Sequence, residues 1–248
     1  MNYSQVPLRW LVSLICMALS ACGGGGGGSG FAPTAAAGLY ESTGGSTPAF
    51  EVLVLDSGRT YAIYGMNSTT PVPAGGVIVA DTTTSGTTFS AGAVRDFNFS
   101  THALSSGTAT GTFAPKSTIS GTVTYTGGTT ANFSGAYNVG YEQKASFSAI
   151  AGTYGGETGD LSGTKVSVVT VDGSGVLAGS TSSGCTYVGF MTTHGAGNVF
   201  DATVTFRTGC TEDGNTLRGH AFVSHNVLYV VVLSGDLGRG VLFAGVKS

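Results

Sequence analysis

The chain has 248 residues and a net charge of −3, and charged residues make up only 9% of it, well below the roughly 25% of ordinary soluble domains. Its few Lys and Arg residues form no cluster, which excludes the electrostatic footprint of a nucleic-acid-binding protein. The hydrophobic fraction of 41%, with many β-branched runs, excludes a disordered chain because it supplies enough apolar surface for a core.

The N-terminal segment has the layout of a secretion signal. Residues 1–9 carry one positive charge, at Arg9, and residues 10–18 are apolar except for Ser13. This apolar run is much shorter than the roughly 20 residues that a membrane-spanning helix needs. Small residues follow it directly, as they do before a signal-peptidase cut. We therefore predict a signal peptide at residues 1–21.

The sequence Leu-Ser-Ala-Cys at residues 19–22 resembles the lipobox of bacterial lipoproteins. The resemblance implies that Cys22 receives diacylglycerol on sulfur, becomes the new N-terminus and takes a further acyl chain such as palmitate. Several acyl chains anchor a protein stably without a protein span. Gly23 stands where an Asp would resemble an inner-membrane retention signal, so the outer membrane is expected. The alternative is a plain signal cut beside a chance cysteine.

Six glycines at residues 23–28 follow the cysteine, and we predict a flexible tether over residues 22–37. A cysteine followed by polyglycine is similar to the anchors of Gram-negative surface lipoproteins such as transferrin-binding protein B and factor H binding protein. This similarity covers only the anchor. It implies display on the cell surface.

Beyond the tether the pattern is all-β. Windows with a period of 3.6 residues are missing, and short β-branched or aromatic runs alternate with turn residues. We predict tight turns with positive φ at residues 56–58, 127–128, 172–173 and 213–214. The predicted strands are residues 51–55, 60–64, 76–80, 118–125, 131–136, 165–171, 186–191, 199–207, 219–224, 227–233 and 240–246. A transmembrane β-barrel is an alternative hypothesis. It is disfavoured because the predicted strands are mostly shorter than the required 9–11 residues.

A weak internal repeat divides this body. Ala-Gly-Leu-Tyr at residues 37–40 recurs as Ala-Gly-Thr-Tyr at residues 151–154, and each is followed by a strand, a turn with Asp and Gly, and another strand. We predict two small antiparallel β-barrel or β-sandwich modules in tandem, at residues 38–148 and 149–248. One continuous barrel or sandwich is the alternative.

The run at residues 227–233 is apolar at every position. A strand with one solvent-exposed face alternates apolar and polar residues. A continuous apolar run therefore predicts burial of both faces. The outer face is then covered by the other module, by a partner subunit or by a loop.

Cys185 and Cys210 remain after processing. In an oxidising envelope compartment an isolated pair favours a disulfide over a metal site or a nucleophile. They flank the predicted strands 186–191 and 199–207, so the bond would pin the ends of one hairpin or staple it to an adjacent loop.

The sequence predicts no catalytic residue, no cofactor and no metal site. The Gly-x-Ser-x-Gly motif of the nucleophile elbow does not occur. The four histidines, His102, His194, His220 and His225, are predicted on the surface or in turns. His220 and His225 lie five residues apart, on opposite faces of a regular strand, which disfavours a shared metal.

Aromatic residues on the predicted strands are expected mainly in the core, although exposed ones would suit a ligand or glycan surface. Tyr61 and Tyr64 are expected on opposite faces, and Phe97 and Phe99 on the same face.

The body resembles a group of uncharacterised two-module lipoproteins of β-proteobacteria. The resemblance rests on residues 95–99, 149–154, 183–187 and 198–201. It implies an all-β ectodomain and a hairpin disulfide, and it transfers no catalytic residue.

The leading expectation is an outer-membrane lipoprotein with a surface-exposed binding ectodomain for a protein or glycan ligand, a membrane contact through the lipid anchor, and no nucleic acid. The alternatives are a periplasm-facing structural or assembly lipoprotein and, third, an enzyme.

Overall fold

The computed structural model describes residues 34–43, 49–67 and 70–248, with side chains left out for residues 66–74. The predicted signal peptide, Cys22 and the polyglycine run lie outside these described residues. Within them, no helix has the length and apolarity to cross a membrane.

The described chain is built from seventeen strands and two short helical turns. A 3₁₀ helix at Val139–Glu142 and α1 at Phe147–Ile150 connect the ninth strand to the tenth. The strands are β1 Gly38–Ser42, β2 Ala49–Val54, β3 Arg59–Asn67, β4 Thr70–Asp81, β5 Thr83–Ser85, β6 Thr88–Asn98, β7 Ala103–Ala114, β8 Thr118–Tyr125, β9 Thr130–Tyr137, β10 Gly152–Asp160, β11 Gly163–Val171, β12 Val176–Thr181, β13 Thr186–Thr193, β14 Val199–Phe206, β15 Thr216–Ser224, β16 Val227–Leu233 and β17 Gly240–Lys247.

These strands form two antiparallel eight-stranded barrels in tandem. In barrel 1, β1–β4 and β6–β9 form the ring, which the pairing of β4 with β6 closes, while the short β5 adds to the edge of β6. Barrel 2 runs from β10 to β17 and closes through the pairing of these two strands. The predicted all-β tandem fold is confirmed, and its modules are barrels.

All eleven predicted strands coincide with observed ones, and several are longer than predicted, up to 12 residues in β4. The strands β6 and β7 lie outside every predicted run. They are rich in Gly, Ala, Ser and Thr, so they lack the β-branched signal. Small residues are needed here because a Cβ on Gly111 would lie 2.4 Å from the ring of Phe89.

The predicted turns are confirmed at three of four places. Gly58, Gly128 and Gly214 have φ of 87°, 85° and 76°. At the fourth, the prediction for Gly173 is wrong, because Gly175 takes the positive φ, at 87°. The carboxylate of Asp172 accepts hydrogen bonds from the backbone N–H of residues 174 and 176, which shapes the turn locally.

The structure describes the last four residues of the predicted tether, residues 34–37. Residues 34–37 form a turn against barrel 1, with the N–H of Thr34 donating to the carbonyl of Asp56 and Ala36 fully buried. The hydroxyl of Tyr40 donates to the carbonyl of Ala36, which ties this turn to β1.

The apolar strand β16 is buried on both faces, as predicted. Its residues Leu228, Val230 and Val232 pack into the interior of barrel 2. On the opposite face Tyr229 and Val231 join an apolar cluster that contains outward-facing side chains of barrel 1. The cover is therefore the other module. The barrel 1 members of this cluster include Leu53, Tyr61, Ile63, Val77, Val79, Phe97 and Phe99.

A disulfide joins Cys185 and Cys210, which confirms the predicted pair. Cys185 directly precedes β13, and Cys210 lies in the connection between β14 and β15. The bond therefore holds the open end of the β13–β14 hairpin.

Candidate functional site

Barrel 1 encloses a cavity of 510 Å³, and this cavity is partly open to solvent. A volume of this size lies within the range of ordinary small-molecule sites. Its wall is mainly apolar and aromatic, and includes Phe50, Val52, Ala62, Ile78, Val123 and Phe133. Barrel 2 differs, because its corresponding interior space measures only 10 Å³ among packed side chains.

One carboxylate, that of Asp96, lies in the wall of this cavity and is only 5% exposed. The hydroxyl of Tyr64 donates to Asp96 Oδ1 at 2.6 Å, and the hydroxyl of Tyr125 donates to Oδ2 at 2.7 Å. In the described part of the chain no Lys or Arg lies within ion-pair distance of Asp96. Two neutral donors therefore compensate the buried charge, as burial of a carboxylate requires.

The two tyrosines stay protonated. Burial, followed by the hydrogen bond to Asp96, raises the pKa of Tyr64 well above its usual range. Burial, followed by the hydrogen bond to Asp96, also raises the pKa of Tyr125. Because each hydroxyl already donates to Asp96, the unused lone pairs of the carboxylate are the acceptors that remain for a ligand.

A bulge in β6 brings Asp96 into the barrel. The register between β6 and β7 shifts between Ala91 and Val94, which inserts one extra residue into β6. The inward-facing residues therefore have odd numbers before the shift and even numbers after it. They are Phe89 and Ala91 before it, and Val94, Asp96 and Asn98 after it. Alternation alone would place Asp96 outside. Bulges commonly re-aim side chains in this way.

The predicted orientations of Tyr61, Tyr64, Phe97 and Phe99 are confirmed, although Phe99 lies just after the end of β6. Tyr61 faces barrel 2, whereas Tyr64 faces the cavity. Phe97 and Phe99 both belong to the cluster between the barrels. Besides Tyr64, the aromatic surface of the cavity comes from Phe50, Tyr125 and Phe133, which the sequence pattern does not single out.

A second concave region is a groove of 740 Å³ along the seam between the barrels. At its edge the His194 ring contacts two carboxylates: Nδ1 lies 2.7 Å from Asp201 Oδ1, and Nε2 lies 3.0 Å from Asp56 Oδ1. His220 Nε2 lies 3.4 Å from the same oxygen of Asp201, and its Nδ1 lies 2.7 Å from the hydroxyl of Tyr61. Asp56 and Tyr61 belong to barrel 1, so this network joins the two barrels.

The two histidines of this network titrate differently. Burial acts to lower the pKa of His194, but hydrogen bonds to Asp56 and Asp201 outweigh it and raise the pKa. Burial lowers the pKa of His220 to about 4.

A buried glutamate lies elsewhere in the seam. Glu51 is 4% exposed, and Tyr229 donates to its Oε1 at 3.4 Å. Its Oε2 accepts no hydrogen bond from the residues that the structure describes. Glu41 lies close by and accepts from Ser224 at 3.2 Å and from Asn138. Burial, with the Glu41 charge adding to it, raises the pKa of Glu51 to about 8.

The four histidines are thus in three places. His102, at φ 56°, contacts the carbonyl of Leu161 in barrel 2 at 3.1 Å. His225, at φ 48°, lies in the β15–β16 turn, 3.6 Å from Glu41. His194 and His220 come together around Asp201, which the sequence pattern does not predict. The sequence carries no local signal for this meeting, because it depends on the pairing of Asp201 with His220 across β14 and β15.

Comparison with protein-family models, with curated proteins and with solved structures returned no match to this chain.

Proposed function

We propose that this protein is an outer-membrane lipoprotein, anchored through Cys22 and displayed on the cell surface, whose ectodomain binds a small molecule inside barrel 1. The observation that carries the binding function is the 510 Å³ cavity with the carboxylate of Asp96 in its wall. The proposed location at the outer membrane is supported by the layout of the signal segment, by the lipobox-like residues 19–22 and by the polyglycine run.

The chemistry of the cavity favours a compact, largely apolar ligand that carries one hydrogen-bond donor or a positive charge. Apolar contact contributes about 25 cal/mol per Å² removed from water. A hydrogen bond to the charged Asp96 adds about 1.5–3 kcal/mol. The aromatic faces of Phe50 and Phe133 suit an organic cation. An anionic ligand is rejected, because its charge would meet a buried carboxylate.

Binding fits these groups better than catalysis. Both tyrosines are held protonated as donors to Asp96, so neither acts as a base or an activated nucleophile near neutral pH.

Dye binding to the mature chain from Gly23, which lacks only the signal peptide and the lipidated cysteine, tests the cavity. We expect N-phenyl-1-naphthylamine, a neutral dye with one N–H, to bind with increased fluorescence and the anionic 8-anilinonaphthalene-1-sulfonate to bind much more weakly. Ala62→Phe fills the cavity and should abolish most of the increase. Ala178→Phe, at an exposed position of β12, is the matched control and should retain it.

Asp96→Asn should reduce the discrimination between the two dyes, because it removes the negative charge. Equal fluorescence in wild type and Ala62→Phe would place the dye elsewhere and contradict the proposal.

Protease treatment of intact cells tests the address. Loss of the ectodomain supports surface display, and complete protection supports a periplasm-facing role instead. Cys22→Ala should release the protein from the outer-membrane fraction; a variant that still sediments with it would contradict lipid anchoring.

A further inference from the structure

Three side chains on the outer face of barrel 2 converge at the seam groove. His194 follows β13, Asp201 lies on β14 and His220 lies on β15. Asp201 pairs directly with His220, and the N–H of His194 donates to the carbonyl of Val199, which keeps the ring beside β14. One ligand atom from each residue lies within 4.8 Å of the other two.

Barrel 1 supplies the outer contacts of both imidazoles. Asp56 Oδ1 lies 3.0 Å from His194 Nε2, and the Tyr61 hydroxyl lies 2.7 Å from His220 Nδ1. These contacts leave His194 Nδ1 and His220 Nε2 directed toward Asp201. Metal-binding histidines usually have this arrangement, with the far ring nitrogen donating to a carboxylate or another oxygen while the near one coordinates.

Charge and spacing also fit a cation. His194 contacts two carboxylates at hydrogen-bond distance, and both contacts are hydrogen bonds only if the ring carries two protons. A divalent ion in place of the proton on His194 Nδ1 would neutralise the two negative charges of Asp56 and Asp201. Ligand atoms around a tetrahedral zinc ion lie about 3.3 Å apart, and Asp201 Oδ1 and His220 Nε2 are already 3.4 Å apart. His194 Nδ1 lies 2.7 Å from Asp201 Oδ1, and all three ligand atoms lie within 4.8 Å of one another, so side-chain shifts are needed to reach this spacing.

We propose that His194, Asp201 and His220 bind a divalent transition-metal ion, of which zinc is the representative, with Asp56 and Tyr61 as positioning residues. Two imidazoles and one carboxylate are ligands that suit zinc, nickel or copper rather than calcium or magnesium. Asp201 and His220 line the groove, so a remaining coordination position faces solvent. Because the positioning residues come from barrel 1, the ion binds the docked pair of barrels.

Metal titration of the chelator-treated mature chain from Gly23, prepared without a histidine tag, tests this site. Calorimetry with zinc should give one ion per chain with micromolar or tighter affinity, and Co²⁺ should give the visible absorption of a low-symmetry site. Bound zinc should also raise the unfolding temperature, because it binds only the folded, docked state.

His220→Gln and Asp201→Asn should each weaken zinc binding at least tenfold. Asp56→Asn should weaken it about 10- to 100-fold, as loss of an outer partner does. His102→Gln removes a histidine outside the site and is the matched control. Circular dichroism and the unfolding temperature without metal show that each variant is folded.

Two results would overturn the proposal. One is the absence of stoichiometric zinc binding at 100-fold excess of metal. The other is unchanged affinity in His220→Gln together with loss in Glu41→Gln, which would move the ion to the separate group of Glu41, Glu51 and His225.

Discussion

Tyr40 and Tyr154 occupy equivalent places in the two barrels. Each is buried at the start of the first strand of its barrel, and each hydroxyl donates to the carbonyl oxygen four residues earlier. The acceptors are Ala36, at 2.9 Å, and Ile150, at 2.6 Å. The short Ala-Gly-x-Tyr repeat therefore corresponds to the same hydrogen bond in both barrels. In each barrel this bond holds the segment that precedes the first strand.

Removing either hydroxyl should destabilise the protein by a similar amount. We expect Tyr40→Phe and Tyr154→Phe each to lower the free energy of unfolding by about 1–2 kcal/mol, since each leaves a buried carbonyl without its donor. The two sites are remote in sequence and share no partner, so the double variant should show the sum. Urea denaturation measures all three. A negligible loss in one variant would show that the two tyrosines are not equivalent.

Removing the carboxylate of Asp96 should lower stability, because Tyr64 and Tyr125 then lose the acceptor of their hydroxyl groups. Asp96→Ala leaves the hydroxyls of Tyr64 and Tyr125 without this acceptor, at up to about 1–3 kcal/mol for each, less where water reaches these part-buried groups. The triple variant with Tyr64→Phe and Tyr125→Phe should regain part of this loss, because it removes the unpaired donors. Denaturation curves compare the two, and a triple variant less stable than Asp96→Ala would contradict the explanation.

Glu51 should make stability depend on pH. Its folded-state pKa is raised from 4.5 to about 8 by burial and by Glu41, so folding favours the protonated acid. This contribution is fully present below pH 4.5, decreases as the pH rises, and is lost above about pH 8. The groups that face Glu51 are Glu41, Ser224, Tyr229 and His225.

Glu51→Gln keeps the shape without the titration, so its free energy of unfolding should vary less between pH 4.5 and 8 and should exceed the wild-type value at pH 8. The exposed Asp213→Asn serves as control and should follow the wild-type profile. A Glu51→Gln profile parallel to wild type would show that another group governs this range.

The apolar seam should contribute to the stability of the whole molecule. Val231 is 1% exposed and packs against barrel 1, so Val231→Ala should cost about 2 kcal/mol from lost contact and a residual cavity. Val188→Ala, at a position that is 41% exposed on β13, should change stability by less than about 0.5 kcal/mol. If Val231→Ala behaved like Val188→Ala, the seam would not be a stabilising interface.

Local patterns in the sequence determined the all-β class, most strand positions, the tandem repeat and the cysteine pair. The fold class and the strand positions depend on period-2 alternation, β-branched composition and turn residues, all of which act over a few neighbours. The cysteine pair followed instead from the number of cysteines that remain after processing. The uninterrupted apolar run of β16 even required a cover for its outer face, since unburied it would be an exposed hydrophobic strand.

Only the tertiary structure decided the closure of the rings and the composition of both candidate sites. Closure depends on β4 meeting β6 and on β10 meeting β17. Asp96 faces the cavity because of one bulge. His194 meets Asp201 and His220 because it directly follows β13, which pairs with β14, and β14 in turn pairs with β15. Register and bulges are set by packing between residues far apart in the chain, so a local pattern does not contain them.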